Sequence, residues 1–264
     1  MELLGYIGAG FVGITLGLVG AGGSILILPI LVYLLGISPV NATAYSLFIV
    51  GLTSIFGFLN YKKLNLVDIK TGLIFALPSL IGVFIARSLI LPAIPDVLFE
   101  GDIIIITKDK FILIFFSIVM FLASLSMIKR KKQKENDSTE NMTYNYPLIG
   151  IEGLLVGSIT GLVGAGGGFL IIPALVVLAK IPMKKAIGTS LLIISIKSLL
   201  GLLGDYQQFH NYQWGFLMLF SGLSIIGIFV GSALGKKIPG EKLKPAFGYF
   251  VLVMAIYIIG REAF

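Results

Sequence analysis

The sequence predicts an all-α polytopic membrane protein made of two inverted-topology repeats, each a glycine-broken re-entrant helical hairpin followed by three transmembrane helices. Three observations carry that reading: long apolar runs throughout the chain, a glycine-rich phrase that occurs twice, and Lys and Arg residues that change sides between its two copies.

The solvent comes first. With 57% of 264 residues hydrophobic, 12% charged and a mean hydropathy of +1.01, the chain has too little polar surface to cover a soluble globule. The oiliness continues to the last residues, unlike a cleaved leader ahead of a soluble body. The absence of cysteine excludes disulfides, thiolate metal sites and cysteine nucleophiles, and a lone histidine, His210, excludes a histidine metal cluster. The net charge of +7 sits beside apolar segments, where it sets topology and does not mark a nucleic-acid surface.

Along the chain, a first apolar stretch from about residue 3 to 36 is interrupted by GAGGS at 20–24, and uninterrupted spans follow near 42–60, 70–91 and 110–128. KRKKQKENDSTENMTYNY (129–146) has almost nothing to bury and reads as a solvated linker. The order then repeats: a stretch at 147–180 broken by GAGGG at 164–168, and spans near 184–204, 213–235 and 243–260. The expected division is a first repeat at 1–128, the linker at 129–146 and a second repeat at 147–264. Gly17, Gly23 and Pro29 recur 144 residues on as Gly161, Gly167 and Pro173, and the same offset pairs Ala42 with Ala186, Ser46 with Ser190 and Gly57 with Gly201. Internal repeats of this kind are common in transporters.

Charge orients the halves. The linker, with Lys129, Arg130, Lys131, Lys132 and Lys134, is placed in the cytoplasm. Loop 61–70 carries Lys62, Lys63 and Lys70, whereas its counterpart 205–213 has no Lys or Arg; GISPVN (36–41) is uncharged, whereas 180–185 carries Lys180, Lys184 and Lys185. The acidic loop with Asp96, Glu100 and Asp102 corresponds to the basic KKIPGEKLK at 236–244. The halves are therefore expected upside down relative to one another in a multi-pass cell-membrane protein, with both termini outside. Residues 25–36 would reach only about 18 Å as a helix, short of a hydrocarbon core roughly 30 Å thick, which favours re-entrant hairpins for 1–36 and 147–180. A fully spanning pair is the alternative, and it would move one terminus to the other side.

A helix broken inside the membrane leaves N–H groups and a positive dipole end that an anion satisfies well. Gly20, Gly22 and Gly23, with Gly164, Gly166, Gly167 and Gly168, would let backbone approach such a ligand, and Ser24 is placed to cap a helix beginning at Ile25. Close helix packing by small residues is the plainer use of the same glycines. Thr43 and Ser46, with Thr189 and Ser190, are candidate hydroxyl donors or packing hydroxyls. Lys197, in the middle of its span, is too deep to snorkel and should face the interior, either attracting the anion or pairing with a buried acid such as Asp205 or Glu152. Arg87 reads as a snorkelling anchor and His210 as a solvated loop residue.

The paired G-L-V-G-A-G-G phrases, each followed by a short segment ending in Pro, with NATAYSL and KAIGTSL after them, resemble the TauE/SafE family of sulfite exporters, also called the four-toluene-sulfonate uptake permease family. The resemblance covers essentially the whole chain. It implies a secondary transporter of small sulfur-containing or organic anions such as sulfite, thiosulfate, sulfonates or sulfoacetate. It carries over to Gly20, Gly22, Gly23, Pro29, Gly164, Gly166, Gly167, Pro173, Ser46 and Ser190. The first half reads NATAYSL where the second has G-T-S, so a two-fold pair of Thr-Ser ligands is not implied.

The expected activity is alternating-access transport, with export driven by the membrane potential. An anion channel, or a proton- or sodium-coupled organosulfonate importer, is the alternative, and an enzyme is not expected because the spans hold no catalytic constellation. No cofactor and no metal are expected. The expected partners are a small sulfur anion, membrane lipid and, at most, a second copy in a homodimer; nucleic acid is not among them.

Overall fold

The computed structural model describes residues 2–100, 105–128, 146–163, 167–179 and 181–263. The charged linker, except Tyr146, lies outside these residues, as do Gly164, Gly166 and Lys180.

Helix α1 (Glu2–Val19) ends where Gly20 takes a φ of +69°, which a side-chain-bearing residue adopts only with strain. A 3₁₀ run (Gly20–Leu26), the short α2 (Ile27–Pro29) and a π-turn (Ile30–Leu34) carry the chain back. A Cβ on Gly5 would meet Leu35 at 2.5 Å and one on Gly8 would meet Ile30 at 3.2 Å, so the return arm lies along α1. Next come α3 (Pro39–Lys63), α4 (Ile69–Ile85), a π-turn (Ala86–Ile90) and α5 (Leu91–Ala93). Strands β1 (Val97–Glu100) and β2 (Ile105–Thr107) then pair antiparallel, a hairpin the loop's charge pattern did not announce although its β-branched run favours one. The half closes with α6 (Lys108–Ile128).

The second half follows the same order: α7 (Tyr146–Val163), α8 (Gly168–Pro173), a π-turn (Ala174–Leu178), α9 (Met183–Gly201), a 3₁₀ run (Leu202–Asn211), α10 (Trp214–Lys237) and α11 (Gly240–Ala263). The correspondence reaches single hydrogen bonds. Leu35 N–H donates to Ile30 O and Ile37 N–H to Leu31 O; 144 residues on, Ala179 N–H donates to Ala174 O and Ile181 N–H to Leu175 O. Both widened turns follow directly on Pro29 and Pro173, where the helical ladder already lacks a donor.

Among the described residues, six helical segments are long and apolar enough to cross a membrane: Pro39–Lys63, Ile69–Ala93, Lys108–Ile128, Met183–Asn211, Trp214–Lys237 and Pro245–Glu262. Leu4–Val19, Ser24–Leu34 and Pro147–Val163 are apolar but shorter. Large apolar side chains such as Ile7, Ile81, Ile226 and Val253 point outward, whereas Ser54, Ser79, Ser117, Ser198 and Ser224 are buried. Polar groups inside and oil outside suit a chain solvated by lipid. The molecule is an all-helical polytopic membrane protein.

Helix α1 packs along α10, and α7 along α4; α3 crosses α9, and α6 packs on α11. Each half thus sends its first helix onto the other half. Small residues allow the closeness: Gly13 abuts Ser224 and Gly227, Gly17 abuts Ile228 and Gly231, Gly157 abuts Ser79, and Gly161 abuts Val83 and Ala86.

Candidate functional site: the two glycine tips and their buried cations

The two glycine breaks meet. The Gly20–Leu26 run packs on α8, which the second break introduces, and on α9. A Cβ on Gly20 would lie 3.0 Å from both Cα and O of Ile187, so this tip rests against the first turns of α9, where Ser190 donates to Ile187 O at 2.8 Å. Gly22 and Gly23 lie inside the 3₁₀ run, and Ser24 is buried within it. The α-helix that Ser24 was expected to cap from Ile25 starts instead at Ile27 behind Leu26, and the Ser24 carbonyl accepts from Ile27 N–H. In a 3₁₀ run the i→i+3 bonds already take N–H groups that a capping hydroxyl would otherwise receive.

The second tip has a different shape. Gly167 is left-handed at φ +64°, and its carbonyl accepts from Leu170 N–H at 3.1 Å and Ile171 N–H at 3.2 Å to start α8 at the buried Gly168. Gly164 and Gly166, assigned to the same site from sequence, lie outside the described residues.

Lys197 stands at this second tip. Its side chain is fully buried, and Nζ donates to Thr160 Oγ1 at 2.7 Å; Thr160 in turn donates to Gly157 O at 3.2 Å. A Cβ on Gly167 would come within 2.5 Å of that Nζ, so the ammonium lies directly on the glycine. Neither carboxylate considered for it is its partner: among the described residues no acid lies within 4.0 Å of Nζ. An ammonium has three donors, and among the described residues its hydrogen bond goes to a neutral hydroxyl, an arrangement that leaves the charge available to an anion.

Asp205 is taken by Arg87. Instead of snorkelling outward, Arg87 is 2% exposed; its Nε donates to Asp205 Oδ2 at 2.7 Å, Nη2 contacts the same oxygen, and Nη1 donates to Thr43 Oγ1 at 2.7 Å and Gly161 O at 3.4 Å. The π-turn at Ala86–Ile90 adds a residue to that turn and so changes which side of the helix faces inward. The two buried cations therefore hold consecutive residues of α7, Thr160 and Gly161, at the entrance to the second glycine phrase.

Of the hydroxyls singled out from sequence, Thr43 belongs to the Arg87 cluster and donates to Val40 O at 2.6 Å. Thr189 accepts from Asp68 N–H at 2.9 Å, which holds the start of α4, and the corresponding Tyr45 hydroxyl accepts from Gln213 N–H at 2.9 Å at the start of α10. Ser46 is buried in α3 at the position matching Ser190. The structure thus gathers Gly20, Gly22, Gly23, Ser24, Gly167, Gly168, Ser190 and Lys197 around the touching tips, and carries Thr43 to the neighbouring cluster and Thr189 to a helix start.

Sequence reasoning missed Thr53, Ser54 and Ser198. All three are buried on the mutually crossing α3 and α9, and their hydroxyls have no hydrogen-bond partner among the described residues. The offset of 144 already aligned Thr53 with Lys197 and Ser54 with Ser198, and that was the available signal.

The family model for the sulfite exporter TauE/SafE matches residues 6–258 of this chain. The chain belongs to the TauE/SafE family. A protein of Xylella fastidiosa named as a probable membrane transporter is 30% identical over 96% of this chain and 93% of its own length. The probable membrane transporter protein YunE of Bacillus subtilis is 29% identical over 98% and 93%, and a Haemophilus influenzae protein of the same description is 29% identical over 92% of each. No solved structure matches the chain. As a TauE/SafE member with six candidate spans, the protein is a multi-pass membrane transporter.

Proposed function

We propose that the protein is a secondary transporter that exports a small sulfur-containing or organic oxyanion across the cell membrane by alternating access between two inverted halves. One observation carries the reading: the touching glycine tips hold a fully buried Lys197 ammonium whose bonded side-chain partner is the neutral Thr160. An oxyanion at the tips would meet that ammonium, and the crossing helices α3 and α9 carry the buried hydroxyls of Thr53, Ser54 and Ser198, unpartnered among the described residues. The main helix pairings exchange with the halves, α1 on α10 with α7 on α4 and α3 on α10 with α9 on α4, and the opposite loop charges favour an inversion, with 129–146 in the cytoplasm and both termini outside. The inside-negative potential drives an anion outward without a coupling ion. The family description supports sulfite and its relatives as the substrate class.

The test is flux in proteoliposomes holding the full chain, across sulfite, thiosulfate, taurine, sulfoacetate and chloride, with Lys197→Met beside the wild type. Saturable sulfite flux with counterflow, lost in a folded Lys197→Met protein, is expected. Non-saturating flux without counterflow would make the protein a channel, and wild-type flux in Lys197→Met would remove the lysine from the site.

A further inference from the structure

A cavity of about 390 Å³ opens at one end of the molecule, lined by Ser38, Asn41, Tyr45, Asn211, Gln213 and Phe216 among others. On the topology proposed above this end faces outward. Among the described residues no Lys, Arg, Asp or Glu lines it, and the ring of its lining residue Tyr45 stands edge-on to that of Tyr212, centroids 5.4 Å apart. Tyr212 is 6% exposed, and among the described residues its hydroxyl has no hydrogen-bond partner within the usual distance and angle limits. That hydroxyl lies within electrostatic reach of both Asp205 and Arg87, and burial, the largest influence on it, raises its pKa, so it stays a protonated donor. Thr43, bonded to Arg87, completes the group.

We propose that Arg87, Tyr212 and Thr43 form a second oxyanion site, between the tips and the outer cavity, at which the leaving anion exchanges with Asp205 for the Arg87 guanidinium. Arg87 Nε and Nη2 both engage the single oxygen Oδ2 of Asp205, not one oxygen each. A sulfur oxyanion can offer two oxygens to that edge in the paired geometry guanidinium prefers, while a third accepts from Tyr212. Such a pose gives the buried Tyr212 hydroxyl an acceptor beside Arg87. Asp205 is then a built-in competitor: it keeps the outer site weak, and its return to Arg87 expels the anion past Tyr45 into the cavity. A transport site has to bind well enough to admit its ion and weakly enough to release it. The proposal rests on the anion reading above, and it adds a site with its own signature.

That signature can be read from the only tryptophan in the chain, Trp214, whose ring centroid is 5.8 Å from that of Tyr212. The experiment titrates purified full-length protein in nanodiscs with sodium sulfite at constant ionic strength, follows Trp214 fluorescence, and uses free N-acetyltryptophanamide to correct for collisional quenching. Asp205→Asn is expected to tighten the apparent Kd for sulfite about tenfold or more, the effect of removing ~1.4 kcal/mol of competition, while slowing flux in proteoliposomes. Arg87→Gln/Asp205→Asn, which keeps the cluster neutral so that the protein folds, should abolish the response, and Tyr212→Phe should weaken it. Lys197→Met should lose flux and keep the Trp214 response, because it touches only the inner site. Unchanged or weaker sulfite binding in folded Asp205→Asn, or a response that survives in the double variant, overturns the proposal and leaves the pair a structural clasp. Wild-type flux with no Trp214 response in either wild type or Asp205→Asn removes the outer site alone; absence of both flux and anion binding removes the transport reading with it.

Discussion

The two glycine tips are near twins in sequence and unlike in charge. Both follow GLVGAGG, both precede a short segment ending in proline, and both are held by a helix of the other half. The second tip nonetheless carries Lys197 bonded to Thr160, where the first has Thr53 and Leu16 at the matching positions, with the Thr53 hydroxyl unpartnered among the described residues. The helix entering each tip is also tied down differently. The Gly17 carbonyl accepts from the neutral Tyr61 hydroxyl at 2.8 Å, and the Gly161 carbonyl from Arg87, which is paired with Asp205, the residue at the Tyr61 position. The repeated phrase supplies the scaffold, and among the described residues the buried charges Lys197, Arg87 and Asp205 gather at one break. A site with two equivalent positive ends would bind an anion symmetrically; at the site proposed above the cation stands at the second tip alone.

The hardest way to break the comparison is to fill the tips. Gly167→Leu must place a side chain at positive φ on top of Thr160 and Lys197, and Gly20→Leu must do so against the Ile187 backbone, so both should abolish sulfite flux. Gly36→Ala is the control: Gly36 has the same kind of φ, +68°, but nothing within 4 Å, so it should cost only about 1–2 kcal/mol of stability and leave flux measurable. Flux by proteoliposome assay, with size-exclusion profiles to confirm folding, separates the three.

Next in size is the charge itself. Lys197→Thr gives the second tip the residue of the first, and should weaken apparent sulfite affinity by about 10- to 100-fold, the value of ~1.5–3 kcal/mol for a charge-assisted bond. Restoring the charge on the other side, as Thr53→Lys in the Lys197→Thr background, should not recover flux, since Leu16 cannot hold the ammonium as Thr160 does. Recovery would mean that the tips are interchangeable and the asymmetry incidental.

The clasps come third. Asp205→Ala leaves Arg87 buried and unpaired, and should cost about 3–5 kcal/mol. Tyr61→Phe removes one neutral bond and should cost about 1 kcal/mol. Unfolding in a mixed-micelle denaturant series measures both, and equal losses would contradict the contrast between an ionic and a neutral clasp.

Much of this was legible in the sequence because it is written in long-range regularities. Apolar run lengths gave the spans, and the 144-residue offset matched hydrogen bonds as local as those of Leu35 and Ala179. What escaped depended on one extra residue in a turn or on a choice between partners. Arg87 sits where a helix end usually meets headgroups, and no periodicity reveals that a π-turn brings it inside. Asp205, expected at the start of the 205–213 loop or as a buried partner of Lys197, is kept buried by the 3₁₀ run that prolongs α9 from Leu202, and its partner is Arg87. Lys197 was recognisable as interior from depth alone, whereas its bond to Thr160 required the fold to bring α7 and α9 together.

The smallest effect tests whether the halves are equivalent where charge is absent. Thr189 caps the start of α4 through Asp68 N–H, and Tyr45 caps the start of α10 through Gln213 N–H, both at 2.9 Å. The side chains differ, but each satisfies one donor at a helix start, so Thr189→Val and Tyr45→Phe should each cost about 1 kcal/mol. Each bond joins one half to the other, and the two have no partner in common, so the double variant should lose the sum within about 0.5 kcal/mol. Additive and similar losses would show that the repeat survives intact in its neutral contacts and has diverged at the cations. A marked excess for Tyr45→Phe would instead assign that tyrosine, which also walls the outer cavity, a role beyond capping that Thr189 does not share.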